Sequence, residues 1–483
     1  MVRIEKVLAP KEKVNTLLIF NKKDNITSSL LNSEQEGYIL AQLKQNERDF
    51  YAFNMVSHWI LVAIVDDKKS QHETVEEYRN LGGKILDFCD KEFIVDLQLC
   101  SDIVKHNVIG FIEGLMINSY TFDNYKNDPK RLIHPFDHLL VCNDHITAGD
   151  IERSIIVSQA MEKCRDLVNE PVCSLNAQGL AAAFVDLSNE AGIDIEVWQK
   201  DEIEKRKMGG ILAVNKGSVD SPTFTIMQYK PDNAKNKSPL VLVGKGLVYD
   251  TGGLNLKPGD YMNDMKEDMA GAATMATAIY AIARLNLPIY VVGLFPATDN
   301  RPSGNAYASG DIINMYDGTN VEVINTDAEG RIILADALAY AKQYSPMLTV
   351  NAATLTGSAA RTLGPFGIAA IEKDASQYVN ILQQCGNDVY ERVALFPFWK
   401  EYDELIKSDI ADIKNCGDGG AGMITAGKFL AYFTNYPFIH LDIAGVAMSS
   451  KKTSYRGLGA TGYGVRLMIH FAETFSQHLQ TEN

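Results

Sequence analysis

Segment 325–331 of this 483-residue chain places two acids and a guanidinium within five residues. It reads NTDAEGR, and the apolar run IILA follows it directly. Charges this close to a buried element are costly unless something compensates them. If the segment is extended, the carboxylates of Asp327 and Glu329 point the same way. Two acids beside Arg331 indicate a hard-cation or phosphate site, and a solvated turn before a helix is the alternative.

A second cluster of charged residues lies earlier in the chain. Residues 240–243, LVLV, have the continuous apolar character of a strand buried on both faces. Lys245 follows at the carboxyl end, where ligands collect in open α/β sheets. Asp250 opens a glycine-rich turn, and Asp268 precedes the small-residue helix predicted over 271–278. The sequence thus predicts a lysine and two acids at the ends of packed elements.

These two clusters resemble the signature of the leucyl aminopeptidase (cytosol aminopeptidase) family of two-metal exopeptidases. Five further segments resemble family blocks in family order: 165–171, 207–214, 302–307, 353–357 and 440–445. Together the blocks cover nearly all of the chain from about residue 150 to the end. Thr251 stands where many relatives have serine, and it keeps the hydroxyl.

The resemblance implies a role for each matching position. The implied metal ligands are Lys245, Asp250, Asp268, Asp327 and Glu329. In the family pattern, Asp250 and Glu329 bridge both ions, Lys245 and Asp268 complete the tighter site, and Asp327 completes the more exchangeable one. Lys257 and Arg331 match the two catalytic residues. The positions that match the pocket for the substrate's first residue are Met265, Asn325, Thr354 and Gly357.

The chemistry of these side chains agrees with two bound cations. Four carboxylates around one pocket raise one another's pKa values unless cations neutralise them, and two divalent ions supply four balancing charges. Lys245 ligates a metal only as the neutral amine. Oxygen donors with one nitrogen, and no thiolate or imidazole, suit Zn²⁺, Mn²⁺ or Mg²⁺. We therefore expect two divalent ions per subunit, Mn²⁺ or Zn²⁺, about 3.5–4 Å apart.

The implied function is a metal-dependent aminopeptidase acting on peptides with a free N-terminus. In the implied mechanism, a metal-bridging hydroxide attacks the first peptide carbonyl, and Lys257 stabilises the oxyanion. Arg331 holds a small anion such as bicarbonate, which acts as general base. A flexible thioether at Met265 suits leucine or other apolar first residues. Simple core packing is the alternative reading of Met265.

Each residue also has a plainer interpretation when taken singly. Lys245 and Lys257 fit surface or loop lysines, Asp250 fits an Asx turn, and Asp268 fits a helix N-terminal charge. Arg331 fits a structural ion pair with one of its acidic neighbours. Taken together, however, these residues lie among several segments that resemble the family in its order, which weighs against the plainer interpretations.

Two other functional classes compete with the enzyme. Some members of the resembled family bind DNA, so a regulatory nucleic-acid-binding protein is one alternative. The net charge of −15 weighs against it, and a salt-titrated gel shift distinguishes the two. A catalytically inactive relative is the other, disfavoured because all seven key positions carry the family residue. No His-Glu-x-x-His or Gly-x-Ser-x-Gly motif occurs.

Composition sets consistent bounds. Apolar content of 46% and charged content of 22% are typical of a soluble globular protein, and the length predicts two or three domains. Seven cysteines without a Cys-x-x-Cys pair favour free thiols in a reducing compartment. Residues 1–15 lack the apolar core of a signal peptide, and no apolar run reaches membrane-spanning length. We expect a cytoplasmic protein without a membrane partner.

The elements that must position these residues follow an α/β pattern. Strand candidates are 14–21, 59–65, 223–229, 239–244, 287–296, 347–352 and 437–443, and a helix is predicted over 150–168. We expect an N-terminal α/β domain over 1–149, a connecting helix over 150–171, and a catalytic domain over 172–483. The larger domain should hold a mostly parallel central sheet flanked by helices. The resemblance implies a homohexamer.

Overall fold

The computed structural model describes residues 2–22, 26–45, 48–66, 68, 70–127, 135–417 and 419–479. The chain forms two compact units, residues 1–159 with 451–458 and residues 160–450 with 459–483. The division falls inside the helix Ala148–Asn169, and the short segment Lys451–Leu458 belongs to the first unit. The boundaries expected after residues 149 and 171 stay a prediction.

The first unit alternates strands and helices. Its elements are β1 (Arg3–Lys6), β2 (Thr16–Asn21), α1 (Ser33–Lys44), β3 (Phe50–Asn54), β4 (Trp59–Val65), α2 (Gln71–Lys91), β5 (Asp96–Cys100), α3 (Lys105–Ser119) and β6 (His138–Cys142), and α4 (Ala148–Asn169) leads out of it. The sheet has the order β1-β6-β5-β2-β4-β3, and only β3 runs antiparallel to its neighbour.

The apolar run of β4 is buried on both faces because helices cover both sides of this sheet. Ile60, Val62 and Ile64 pack in one core with Ile39 of α1. The alternate residues Leu61, Ala63 and Val65 pack in a second core with α2 and α3. This alternation is the two-residue period of a strand.

The second unit is larger and repeats the α/β pattern. Its elements are α5 (Ala177–Ala191), β7 (Asp194–Trp198), α6 (Lys200–Lys205), α7 (Gly209–Asn215), β8 (Thr223–Tyr229), β9 (Leu240–Gly244), β10 (Gly246–Asp250), α8 (Ala270–Arg284), β11 (Val291–Asn300), β12 (Ile312–Asn314), β13 (Asn320–Glu322), α9 (Glu329–Ala341), β14 (Leu348–Ala353), α10 (Gly357–Leu363), β15 (Ile368–Lys373), α11 (Ser376–Asp388), β16 (Val393–Leu395), β17 (Ile413–Lys414), α12 (Gly422–Tyr432), β18 (Phe438–Asp442), β19 (Met448–Ser449), β20 (Gly459–Ala460) and α13 (Val465–His478). Short 3₁₀ segments lie at Gly259–Met262, Met265–Met269, Lys342–Tyr344, Gly364–Phe366 and Lys400–Ile406.

The main sheet of this unit has the order β16-β15-β18-β14-β9-β11-β8-β7, and β10 pairs with β11. The central strands β18, β14, β9 and β11 are parallel, whereas β8, β7 and β15 join in antiparallel fashion. The helices α9 and α12 pack on the face that holds Val241 and Val243. The predicted α/β class with a mostly parallel, helix-flanked sheet is confirmed.

The predicted strands are confirmed with small shifts at their ends, except near residue 290. There the strand was expected over 287–296, but β11 covers Val291–Asn300. Asn286 has a positive φ of 52°, and Leu287 still donates to Ile282 of α8, so the chain is leaving the helix over these residues. The strand then runs on to Asn300 through polar residues that are buried. Polar residues at a strand end are not a strand signal, which is why the pattern missed them.

None of the helices in the described part of the chain combines the length and apolar character needed to cross a bilayer.

Candidate active site

The charged residues singled out in the sequence meet at one end of the main sheet. Lys245 follows β9, and Asp250 is the last residue of β10. Asp268 lies in the 3₁₀ segment before α8, and Glu329 is the first residue of α9. All four are at least 95% buried, so each needs a partner to offset its lost hydration.

Close backbone packing brings Lys245 into this cluster. A side chain on Gly244 would overlap Ala272 of α8, and one on Gly271 would overlap the carbonyl of Ala352 in β14. The Lys245 amide donates to that same carbonyl at 3.1 Å, and its own carbonyl accepts from the Ala272 amide at 2.9 Å. The small residues let α8 approach the sheet, as the sequence pattern predicts.

Asp250 is oriented by its own turn and by β11. Its Oδ1 accepts from the Gly252 amide at 2.8 Å and from Asn300 Nδ2 at 2.9 Å. Gly252 and Gly253 have φ of 85° and 65°, which other residues rarely adopt. The Asx turn is therefore present, and it leaves Oδ2 directed to the Lys257 ammonium at 2.6 Å.

Asp327 and Glu329 converge for a different reason from the one expected. The segment is not extended: Asp327 lies in a turn, and Glu329 begins α9. The Asp327 amide donates to Asn325 Oδ1 at 2.8 Å, which holds the turn. One carboxylate oxygen from each of Asp250, Asp327 and Glu329 lies within 4.8 Å of the others. The two carboxylates therefore converge because a turn leads into the start of α9, and not because the segment is extended.

Two lysines hold this acidic cluster together. Lys245 Nζ lies 2.8 Å from Asp268 Oδ2 and 3.0 Å from Glu329 Oε1, and it donates to the Thr354 carbonyl at 3.1 Å. Lys257 Nζ lies 2.6 Å from Asp250 Oδ2 and 2.6 Å from Asp327 Oδ1. Each lysine thus joins two carboxylates that would otherwise repel each other.

The pKa values of the lysines reflect this pairing. Burial by itself would lower the pKa of Lys245, but Asp268, Glu329 and Asp250 outweigh it and raise the pKa above its ordinary value. Burial likewise opposes the rise at Lys257, whose pKa is raised by Asp250 and Glu329. Without metal, both lysines are therefore ammonium groups at neutral pH.

Two of the carboxyl groups, those of Asp268 and Asp327, have raised pKa values. Burial raises the pKa of Asp268 to about 7, with Asp250 and Glu329 adding to the rise and Lys245 opposing it. Burial, Asp250 and Glu329 also raise the pKa of Asp327 to about 7. Two ammonium groups thus leave the cluster short of positive charge.

The residues fit a pair of hard cations. Within the described residues, the buried oxygen Glu329 Oε2 accepts no hydrogen bond. Asp268 Oδ2 and Asp327 Oδ1 each face one lysine ammonium, at 2.8 and 2.6 Å. Buried acceptors without donors are expensive, and divalent ions with a preference for oxygen would satisfy them.

Arg331 projects from the same turn of α9 and is buried. Its Nη1 donates to the Asn415 carbonyl at 2.7 Å, whereas its Nε has no hydrogen-bond partner. Among the described residues, no carboxylate lies at ion-pair distance from this guanidinium, so the structural ion pair is not formed. Burial and the Arg331 charge lower the pKa of His440 to about 3, so His440 adds no positive charge. The guanidinium keeps donor capacity for a small anion.

Residues 162–469 match the cytosol aminopeptidase family, catalytic domain. The chain belongs to this family. It is accordingly a metal-dependent aminopeptidase of the hydrolase class. In the acidic cluster, carboxylate oxygens of Asp250, Asp327 and Glu329 lie close enough together to hold a metal ion.

Individual relatives agree with the family assignment. A probable cytosol aminopeptidase of Chlorobium limicola is 43% identical over 385 residues, which are 76% of this chain and 75% of that protein. One from Geobacter sulfurreducens is 40% identical over 370 residues, 76% of this chain and 74% of that protein. The solved structure of the bottromycin maturation enzyme BotP in complex with Mn has a TM-score of 0.84 at 26% identity, covering 96% of this chain and 100% of that one.

The four residues predicted to line the aminopeptidase's pocket differ in how closely they contact the acidic cluster. Thr354 is in direct contact, since its Oγ1 donates to Asp268 Oδ1 at 2.8 Å. Met265 begins the 3₁₀ segment that carries Asp268 and is half-buried. Asn325 uses its amide oxygen to hold the Asp327 turn, and Gly357 begins α10 just after Thr354.

Several residues that organise the aminopeptidase site were not predicted from the sequence. Asn300 joins Asp250 to the carbonyl of Thr326 through its side-chain nitrogen, at 2.9 and 3.0 Å. Asn415 accepts from the amides of Ile324 and Asn325 at 2.8 and 3.3 Å. Buried amide side chains have no periodic signal. The run of polar residues that ends β11 is the sequence feature that could have indicated a role for Asn300.

We expect Gly330→Ala to weaken metal binding by the aminopeptidase. A Cβ at Gly330 would lie 2.5 Å from Lys245 Nζ, so the lysine must move from its position between Asp268 and Glu329. Metal affinity should fall about 10- to 100-fold, and the free energy of unfolding by about 1–3 kcal/mol. Metal titration and urea unfolding measure the two effects.

Gly304→Ala is the matched control, because no atom lies within 4 Å of a Cβ placed there. It should change neither quantity appreciably. Wild-type metal affinity in Gly330→Ala would contradict the packing argument.

Proposed function

We propose that this chain removes the first residue from peptides with a free N-terminus, with preference for leucine and other apolar residues. The observation that carries the proposal is the convergence of four acids and two lysines in one buried cluster. When bound, two divalent ions, Mn²⁺ or Zn²⁺, supply Lewis acidity and a bridging hydroxide as nucleophile.

The proposed ligands are those that meet in the cluster. Asp250 and Glu329 would bridge the two ions, Lys245 and Asp268 would complete one site, and Asp327 would complete the other. The buried Glu329 Oε2, which accepts no hydrogen bond, supports this assignment. Lys245 must release its proton to serve as a ligand, so its ion pairs with Asp268 and Glu329 belong to the metal-free state.

Lys257 is the proposed electrophile. It lies at the cluster with its side chain 14% exposed, whereas Lys245 is 3% exposed, so Lys257 is the lysine that substrate can reach. As an ammonium it would stabilise the negative charge that develops on the carbonyl oxygen.

Arg331 is proposed to hold a small anion such as bicarbonate, which accepts a proton during the reaction. The free Nε of its buried guanidinium supports this role, because an unpaired buried donor favours an anionic partner. A planar guanidinium also matches a planar carboxylate-like anion in a bidentate manner.

A metal-titrated assay tests the proposed function. Chelated protein should hydrolyse leucine p-nitroanilide far more slowly, and Mn²⁺ or Zn²⁺ should restore turnover as elemental analysis approaches about two ions per chain. Full turnover in protein stripped of metal would refute the proposal.

Substrate preference has its own test at Met265. Met265→Phe should lower kcat/KM for leucine p-nitroanilide about 10-fold or more while sparing alanine p-nitroanilide, because an added ring fills the space for a branched side chain. Equal losses for both substrates would contradict the pocket assignment.

We also propose a cytoplasmic homohexamer. The free cysteines of the structure are compatible with a reducing compartment. Large apolar side chains such as Tyr261 and Phe366, both 69% exposed, are compatible with subunit contacts. Light scattering coupled to size-exclusion chromatography measures the mass of the assembly, and a mass of six chains is expected.

A further inference from the structure

The first unit contains a topological switch point. Strands β2 and β4 are parallel neighbours, and the chain leaves them in opposite directions. After β2 it forms α1, which packs on the face of Leu18 and Ile64. After β4 it forms α2, which packs on the opposite face. In open α/β sheets, ligands bind in the crevice outside the carboxyl ends of two such strands.

A crevice of about 620 Å³ lies at this point. Lys22 and Val65, at the carboxyl ends of β2 and β4, line it, and the Lys22 amide donates to the Val65 carbonyl at 2.9 Å. The apolar residues Leu43 of α1 and Leu81 of α2 line it from the two helices. This volume suits a small organic molecule.

The side chains that line the crevice include both cations and anions, and some of them form ion pairs with each other. Lys84 lies 2.9 Å from Asp49, and Lys68 lies 3.7 Å from Glu77. Arg48 and Asp66 also line the crevice.

Among the described residues, neither Arg48 nor Asp66 has a side-chain ion pair or hydrogen bond. One cation and one anion thus remain available, beside apolar side chains.

We propose that this crevice binds a zwitterionic small molecule, a free α-amino acid with an apolar side chain or a dipeptide. Arg48 receives the carboxylate, because a guanidinium pairs with it in a bidentate manner. Asp66 receives the ammonium group, and the side chain lies against Leu43 and Leu81. Free amino acids are also what an aminopeptidase releases, but the site lies wholly in the first unit and does not depend on the catalytic assignment.

Hydrogen exchange on the full-length, metal-loaded protein tests this proposal and separates it from binding at the catalytic site. L-leucine should slow exchange in β4 and the first half of α2, and titration gives an apparent Kd for that region alone. Arg48→Gln and Asp66→Asn should each weaken this Kd about tenfold, because each removes one charge-assisted contact. Lys44→Gln is the control, since Lys44 is exposed on α1 and does not line the crevice.

A probe that lacks the amine sharpens the assignment of the two charges. Binding of 4-methylpentanoate should be weakened about tenfold by Arg48→Gln and left unchanged or improved by Asp66→Asn. Arg48 and Asp66 are exposed, so neither substitution removes buried packing. Hydrogen exchange of the unliganded variants checks that both are folded.

Three results would overturn the proposal. The first is the absence of leucine-dependent protection in the first unit. The second is equal binding by the two variants and by Lys44→Gln. The third is protection by inorganic phosphate but not by leucine, which would make the crevice a site for phosphorylated ligands.

Discussion

Glu329→Gln is expected to lower kcat for leucine p-nitroanilide by about three orders of magnitude, equivalent to about 4 kcal/mol of transition-state stabilisation. Glu329 is 2% exposed, lies 3.0 Å from Lys245, and is within 4.8 Å of Asp250 and Asp327. An amide of the same size keeps the packing but removes one of the four charges proposed to hold the metal ions. Metal content per chain should therefore fall together with turnover.

Glu204→Gln is the matched control for this variant. Glu204 is an exposed acid on α6 in the same unit, so the same chemical change there should leave both measurements unaltered. Normal turnover with normal metal content in Glu329→Gln would exclude this carboxylate as a shared ligand, and the proposed mechanism with it.

Lys257→Gln should lower kcat by about two to three orders of magnitude without loss of metal. The side chain is the more exposed of the two lysines in the cluster, and its ammonium lies 2.6 Å from both Asp250 and Asp327. Removing that charge takes away the donor proposed to stabilise the developing oxyanion. The measurements are kcat and KM separately, with elemental analysis of the same preparation.

Two companion variants make this second result specific. Lys257→Arg keeps the charge and should recover part of the lost kcat. Lys200→Gln removes an exposed lysine at the start of α6 and should have no effect. A raised KM with unchanged kcat in Lys257→Gln would assign this lysine to substrate binding alone.

Metal content distinguishes the two variants from each other. Glu329→Gln should lose metal and activity together, whereas Lys257→Gln should lose activity alone. This contrast follows from geometry: Glu329 has a buried oxygen without a hydrogen bond, and Lys257 bears a positive charge that would repel a cation.

Much of the site could be predicted from the chain because its signals are local. The run before Lys245 is apolar at every position, and Leu240, Val241, Leu242 and Val243 are all fully buried in the structure. A continuous apolar run specifies burial on both faces, so the position of Lys245 at its end follows directly. The small residues after Asp268 likewise specify close packing of α8. The resemblance of several segments to the aminopeptidase family then indicated the reaction.

The segment around Asp327 shows where local pattern was not enough. Two acids at alternate positions predict convergence in an extended chain, but the segment forms a turn and a helix start instead. Asn325 and Asn415 decide this, since their side chains bind the backbone of the turn. Asn415 lies far along the chain, and its contribution depends on a contact that no local window contains.

By itself, the sequence determined the α/β class, the buried strand before Lys245, and the residue types available for chemistry. Only the tertiary structure decided that Lys257 joins Asp250 to Asp327, that Asn300 orients Asp250, and that Arg331 keeps a free donor. The physical reason is range. Propensity and periodicity act over a few neighbouring residues, whereas the charges of this site come from separate segments that meet only when parallel strands align their carboxyl ends.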